Sequence, residues 1–249
     1  MICKINLIFK KLTHKRWFLK ILQLKSMKLF FKLFILVVVS FFTTSSLTKE
    51  YNVEYSIKVR GLEIGLLSWY LDLGLDKYTT IIQLNDRGIF SGLYRFRGEY
   101  KVKGKINNAA FSPQEYSQNW KTKRREKEVS IIFKNNKISK LILHPKEKEV
   151  ARIDYYNIVN YRDPLSSFLN ILMNNSPSNT IDGRRVYTLN PNNSPKKNKI
   201  LITNYNNIWA DHKRNDLGYI EIYKHSEDSP LPSEIKIKFK DILFEITKN

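Results

Sequence analysis

From Tyr51 onward, apolar side chains recur at every second position, and that period admits few folds. Tyr51, Val53, Tyr55, Ile57 and Val59 alternate with polar neighbours. Tyr94 and Phe96, then Tyr100 and Val102, do the same on either side of Gly98, and Ile220, Ile222, Ile235, Ile237 and Phe239 repeat the pattern near the C-terminus. Successive side chains of a strand point to opposite faces, so this pattern buries one face of a sheet and wets the other, as antiparallel sheets do. Shorter apolar runs lie at 79–84, 129–133, 141–143, 199–203 and 242–246. The spacers are turn-formers: Asp86-Arg87-Gly88, Asn107-Asn108, Asn135-Asn136, the stretch 190–195 and Ser229-Pro230. Many short strands joined by such turns predict a mainly β domain over 49–249. Its sheet is curled or spiralled, antiparallel and open β-barrel-like, with one or two short helices.

One helix is predicted against this background. Asp163 can cap the first free amide groups, and Pro164 stands at the first helical position, where a missing N–H costs nothing. Leu165, Phe168, Leu169 and Leu172 then share one face at i, i+3, i+4 and i+7, and that face needs cover. On an open barrel the cover lies across a mouth or within the concave face. The helix then either plugs the core or acts as a lid over an apolar cavity, with these four side chains facing inward.

Glycines mark the bends that a curled sheet requires. Gly61 and Gly65 flank a break in the alternation, where a positive φ or a bulge can bend a strand. Gly98 interrupts another strand, and Asp182-Gly183 is a tight-turn signal ahead of a strand. With Asp163 and Pro164 these are read first as fold-making residues.

Residues 1–48 read differently. They hold nine Lys or Arg residues and no Asp or Glu, and the apolar run 33–42 leads into Thr43-Thr44-Ser45-Ser46. A basic flank, a short apolar core and a small-residue exit form the pattern of a secretory signal, with cleavage expected near Ser45 or Ser46. The run is shorter than the roughly 20 residues a spanning helix needs. The alternative is an uncleaved anchor over 29–47. Met27 offers a second start that would give a compact signal. The chain is thus expected to be exported, to the periplasm or envelope.

That expectation changes how the charge is read. The formal charge is +20, and removing the nine basic residues of 1–48 leaves +11. In an exported domain this turns the reading away from nucleic acid and toward anionic envelope surfaces. The segment 120–128 is the most basic stretch: Trp120, Lys121, Lys123, Arg124 and Arg125 could contact anionic headgroups or glycan, while Glu126 and Glu128 partly neutralise it. Arg184 and Arg185 are expected to face opposite sides of a strand. The only cysteine, Cys3, lies in the targeting segment, so the domain is expected to stand without disulfides or Cys-ligated metal.

No catalytic pattern emerges. His144, His212 and His225 form no ligand pair with helical spacing, and Asp211-His212 with Asp216 reads as a solvated loop. There is no Gly-x-Ser-x-Gly elbow and no phosphate loop. No cofactor, metal or catalytic residue is assigned.

Several landmarks occur in a suggestive order: Tyr55, Gly61 and Gly65; Arg97-Gly98, Gly104 and Pro113; Asp163-Pro164-Leu165-Ser166; Asp182-Gly183-Arg184-Arg185-Val186-Tyr187; and Pro232 ahead of 235–239. In this order the chain resembles the exported bacterial proteins grouped as domain of unknown function 3108. The resemblance implies an envelope protein with a half-open antiparallel sheet, similar to periplasmic carriers of lipids or lipoproteins, and no established reaction. Three classes of function follow. One is a non-enzymatic carrier cradling a lipid, lipoprotein or peptide, which predicts an aromatic-lined cavity beneath the helix. Another is a structural envelope-integrity protein that contacts other envelope proteins, which predicts a filled core. The third is a cell-wall hydrolase, which predicts converging carboxylates or a histidine in a cleft.

Overall fold

The computed structural model describes residues 48–88, 95–194, 197–223 and 229–249, the side chains of 193, 194 and 197 excepted. The expected signal segment, apart from Thr48, therefore lies outside the described residues, as do Met27, Tyr94 and His225. Among the described residues no helix is long and apolar enough to cross a membrane.

The first half of the domain is a meander of seven strands. These are β1 (Lys49–Val59), β2 (Leu62–Leu73), β3 (Lys77–Asp86), β4 (Phe96–Asn107), β5 (Ala110–Thr122), β6 (Glu126–Lys134) and β7 (Lys137–His144). A helix, α1 (Pro164–Asn174), follows. The second half is β8 (Ser178–Ile181), β9 (Arg185–Ser194), β10 (Lys197–Asn207), β11 (Leu217–Tyr223), β12 (Glu234–Phe239) and β13 (Ile242–Lys248). All thirteen strands form one sheet in the order β7-β6-β5-β4-β3-β2-β1-β13-β12-β11-β10-β9-β8. Every pairing is antiparallel. The two halves join where the first strand pairs with the last, Ile57 opposite Ile246. The mainly β, curled antiparallel, open barrel-like architecture expected from the alternation is the one observed.

Register places one continuous apolar surface inside the curl. Trp69 lies opposite Val53 and Ile82, Tyr116 opposite Val102 and Ile131, and Ile235 opposite Ile222 and Ile246. Trp69, Tyr55, Tyr116, Leu71, Ile131 and Ile200 are fully buried there, with Leu169 and Ile171 of α1. The sheet does not close by strand pairing. Its free edges are β7 and β8, and the chain between them passes through isolated bridges, Val159 to Lys137 of β7 and Arg162 to Thr180 of β8. The β8–β9 turn also reaches the opposite wall, where a Cβ on Gly183 would stand 2.6 Å from Val129 Cγ1.

The glycines act by two mechanisms. Gly61 has φ +77° in the β1–β2 turn, which no side chain adopts easily, yet open space surrounds it. Gly65 sits where the register slips against Ile57, and a Cβ there would lie 2.7 Å from the Asn85 carbonyl oxygen. Its role is close approach at a bulge. Gly98 leaves room for the Trp120 ring, 3.0 Å from where its Cβ would stand.

Within the stretch 190–195, residues 190–194 depart from expectation. Asn190, Pro191 and Asn192 continue β9 and pair with Leu201, Ile200 and Lys199. Their polar composition reads as a turn, but the neighbouring strand β10 carries the ladder past them. Pro113 is likewise within a strand, at the register shift of β4 and β5, where a proline with no N–H to donate is tolerated.

Candidate ligand-binding site

The site is built around the N-terminal half of α1. The Asp163 carboxylate accepts from the Leu165 N–H (2.9 Å) and the Ser166 N–H (3.1 Å), and also from the Ser166 hydroxyl. Tyr78 of β3 shares a 2.6 Å hydrogen bond with that hydroxyl. Asn170 clamps the helix onto β5: its Oδ1 accepts from the Phe111 N–H (3.1 Å), and its Nδ2 donates to the Phe111 carbonyl (3.0 Å). On the other side, the Ser167 hydroxyl accepts from Thr180 (2.8 Å) and Ser178 (3.1 Å) of β8. Ser166, Ser167 and Asn170 are buried. Swinging α1 open would exchange these buried hydrogen bonds for bonds to water, at a net cost of about 0.5–1.5 kcal/mol each. Together these bonds hold the helix as a roof across the sheet.

Beneath the roof lies an apolar cavity of about 180 Å³. Leu67, Trp69 and Ile82 form one wall, Tyr187 and Leu189 another, and Leu217, Ile220, Ile235, Ile237 and Ile246 the floor, with Pro164, Leu165 and Phe168 above. Ile82, Phe168, Ile220 and Ile237 are only half-buried, so the cavity reaches solvent. Trp69 is the central ring, 5.8 Å from Phe168 and 6.5 Å from Tyr55 between centroids. Its Nε1 donates to Thr80 Oγ1 at 2.8 Å, so it offers the cavity only its apolar face. Tyr55 is also committed, donating to the Pro232 carbonyl at 2.8 Å, and burial raises its phenol pKa.

Of the four side chains expected over a cavity, Leu165 and Phe168 line it, while Leu169 and Leu172 pack into the core. The polar face of α1 is buried as well as the apolar one, because β5 and β8 cover it. The sequence signal for this was Ser166, Asn170 and Asn174 at four-residue spacing, a polar stripe facing the sheet. Asn174 Nδ2 donates to the Ala109 carbonyl.

The basic segment divides. Trp120 lies on the concave face, stacked on Phe96 at 5.6 Å and 11°. Lys121 points the other way and pairs with Glu126 at 3.0 Å. Lys123, Arg124 and Arg125 are exposed at the β5–β6 turn, where the Thr122 hydroxyl accepts from the Arg124 and Arg125 N–H groups. Strand alternation thus separates Trp120 from Lys121, while Lys123, Arg124 and Arg125 sit in the turn beyond the strand. Arg184 and Arg185 also diverge. Arg184 pairs with Glu147 (2.6 Å), whereas Arg185 pairs with Asp182 (2.9 Å) and donates to the Tyr205 hydroxyl (3.0 Å).

Among the described residues no group of three or more His, Cys, Asp or Glu could hold a metal ion. Asp216 pairs with Arg214, and Asp211 is 3.7 Å from Arg152.

Asp163 gives the domain a pH dependence. Burial outweighs the hydrogen bonds it accepts and pushes its pKa from 3.8 up to about 6. Between these values the folded chain holds a proton that the unfolded chain releases, so this group's contribution to stability is present at low pH and lost as pH rises through that window. The loss is about 3 kcal/mol, from roughly two pKa steps. Asp163→Asn keeps a capping acceptor and does not titrate. Urea midpoints compared at pH 4 and pH 7 are expected to fall less on raising the pH in the variant than in the parent; equal falls would assign the dependence elsewhere.

No family model matches the chain, and no curated protein does. Among solved structures, the crystal structure of a beta-barrel-like protein of domain of unknown function DUF1849 from Brucella abortus is similar. The likeness covers 82% of this chain and 97% of that one, at 8% identity and a TM-score of 0.46.

Proposed function

We propose that the chain is a non-enzymatic cell-envelope protein that cradles the apolar part of a lipid, lipoprotein or peptide beneath α1. One observation carries this reading: a cavity of about 180 Å³ with almost wholly apolar walls, reaching solvent. A water there would lack the two to four polar partners it needs, whereas an engineered apolar void of roughly 150 Å³ takes benzene. The cavity therefore suits one ring or one segment of acyl chain, with the remainder of the ligand outside. The expected signal layout of 1–48 supports an envelope location, and the ordered landmarks support kinship with the exported family 3108.

The test is binding of a fluorescent fatty acid, cis-parinaric acid, to the purified protein. Ile220→Trp would fill the cavity from its half-buried floor. It is expected to weaken binding at least about tenfold, some 1.4 kcal/mol, with the melting temperature little changed. A parent protein that binds no probe, or a variant that binds as well as the parent, overturns the reading and favours the structural envelope-integrity alternative. Native mass spectrometry of protein purified from its own envelope would then identify a natural ligand.

A further inference from the structure

A second, chemically opposite depression lies where the β4–β5 and β6–β7 turns approach each other, and it shares no residue with the apolar cavity. It measures about 390 Å³ and is lined by Lys105, Asn107, Gln114, Lys134, Asn135 and Asn136, with Ser112, Pro113 and Phe133. A smaller depression of about 50 Å³ adjoins it through Ser112, Pro113, Phe133 and Asn136 and adds Asn160, Tyr161 and Arg162. No carboxylate lines either of them.

Arg162 is the informative residue. It is half-buried, and its Nε donates to the Phe111 carbonyl at 2.9 Å. Among the described residues no carboxylate forms an ion pair with its guanidinium; Asp163 beside it is turned to the helix N-terminus. Burial presses the Arg162 pKa down, against the opposing pull of Tyr78 and the neighbouring Asp163 carboxylate. The other two Arg residues at the strand ends flanking β8 and β9, Arg184 and Arg185, each have an acid partner. Arg162 lines the smaller depression, and a guanidinium there suits a planar or tetrahedral anion, for which its fork geometry is matched.

The rest of the lining narrows the ligand. Two lysines add positive charge. The amides of Asn107, Gln114, Asn135, Asn136 and Asn160 can both donate to and accept from hydroxyl groups. Pro113, Phe133 and Tyr161 supply an apolar surface. A groove of about 390 Å³ lies within the range of small-molecule sites, and it is larger than a bare phosphate requires.

We propose that this groove binds a sugar phosphate, with Arg162, Lys134 and Lys105 on the phosphate and the amide side chains on the sugar hydroxyls. The proposal does not depend on the apolar cavity. The sugar phosphate could be a free metabolite or the headgroup of an envelope lipid, and the chemistry recognised is the same.

Isothermal titration of the protein with glucose 6-phosphate, glucose and inorganic phosphate tests it. Glucose 6-phosphate is expected to bind at least about tenfold more tightly than either of the others, and Lys134→Gln and Arg162→Gln each to weaken it about tenfold, the scale of one charge-assisted hydrogen bond. Lys134 is exposed at a turn, so its substitution leaves the fold intact, whereas Arg162→Gln is read only if its melting curve matches the parent. No binding of glucose 6-phosphate, phosphate binding as tightly as the sugar phosphate, or full affinity in Lys134→Gln would overturn the proposal. Vesicles of phosphatidylcholine with phosphatidylinositol 4-phosphate separate the sources. Retention that glucose 6-phosphate displaces assigns the headgroup; no retention alongside soluble binding assigns the free metabolite; both support the site.

Discussion

Leu169→Asp is expected to unfold the domain at neutral pH. Leu169 is fully buried and packs within the core cluster beneath α1. Truncating a buried leucine alone costs about 2–5 kcal/mol. The introduced carboxylate adds the desolvation of a charge, several kcal/mol in a site with no partner for it. A domain of this size has about 5–15 kcal/mol in total, so the combined loss removes most or all of it. Circular dichroism melting reads the result. Leu169→Met, which keeps the volume, is expected to cost under about 1.5 kcal/mol. If the aspartate variant melted within a few degrees of the parent, α1 would not sit where it is described.

Leu169 also shows what the sequence makes legible. Its spacing from Leu165, Phe168 and Leu172 marks a buried helical face, and Asp163-Pro164 marks where the helix begins. Likewise β1, β11 and β12 announce themselves because inward apolar residues alternate in each with polar or amphipathic ones. β2 and β5 do not. In β2, Leu66 and Tyr70 on the outer face are as apolar as Leu67 and Trp69 on the inner face, so the period of two is blurred. In β5, Pro113 and a run of polar residues mask a strand that its neighbours hold in register. Residues 190–192 are the same case in β9.

The candidate site was legible by half. The helix and the inward positions Ile220, Ile235 and Ile237 could be named, but the cavity arises from side chains of seven elements that meet only because the sheet curls. Trp120 illustrates the limit in the other direction. Proximity in sequence grouped it with Lys121, Arg124 and Arg125, and pleating then sent it to the face opposite Lys121, onto Phe96. Arg162 carried no pattern at all. Its meaning comes from the lack of a direct ion pair, which depends on Asp163 pointing to the helix N-terminus.

Gly183→Val is expected to be strongly destabilising, because two independent constraints meet at that residue. Gly183 has φ +88°, a conformation that costs a β-branched residue about 1–2 kcal/mol. It also faces the opposite wall of the curl. A Cβ would stand 2.6 Å from Val129 Cγ1, 3.2 Å from Leu143 Cδ2 and 3.4 Å from Leu141 Cδ1. Overpacking of that kind adds about 1–3 kcal/mol. Gly61 separates the two terms. It has a similar φ, +77°, with nothing within 4 Å of where its Cβ would be, so Gly61→Val carries the backbone cost alone. The difference between the two variants in urea unfolding, about 1–3 kcal/mol, then measures the contact between the β8–β9 turn and β6–β7. That contact, with the bridges at Val159 and Arg162, is what draws the unpaired edges together in place of a closing strand pair. Equal losses at the two glycines would mean that the turn does not rest on that wall. The curl, and with it the cavity beneath α1, would then have to be held by the helix and the bridging segment.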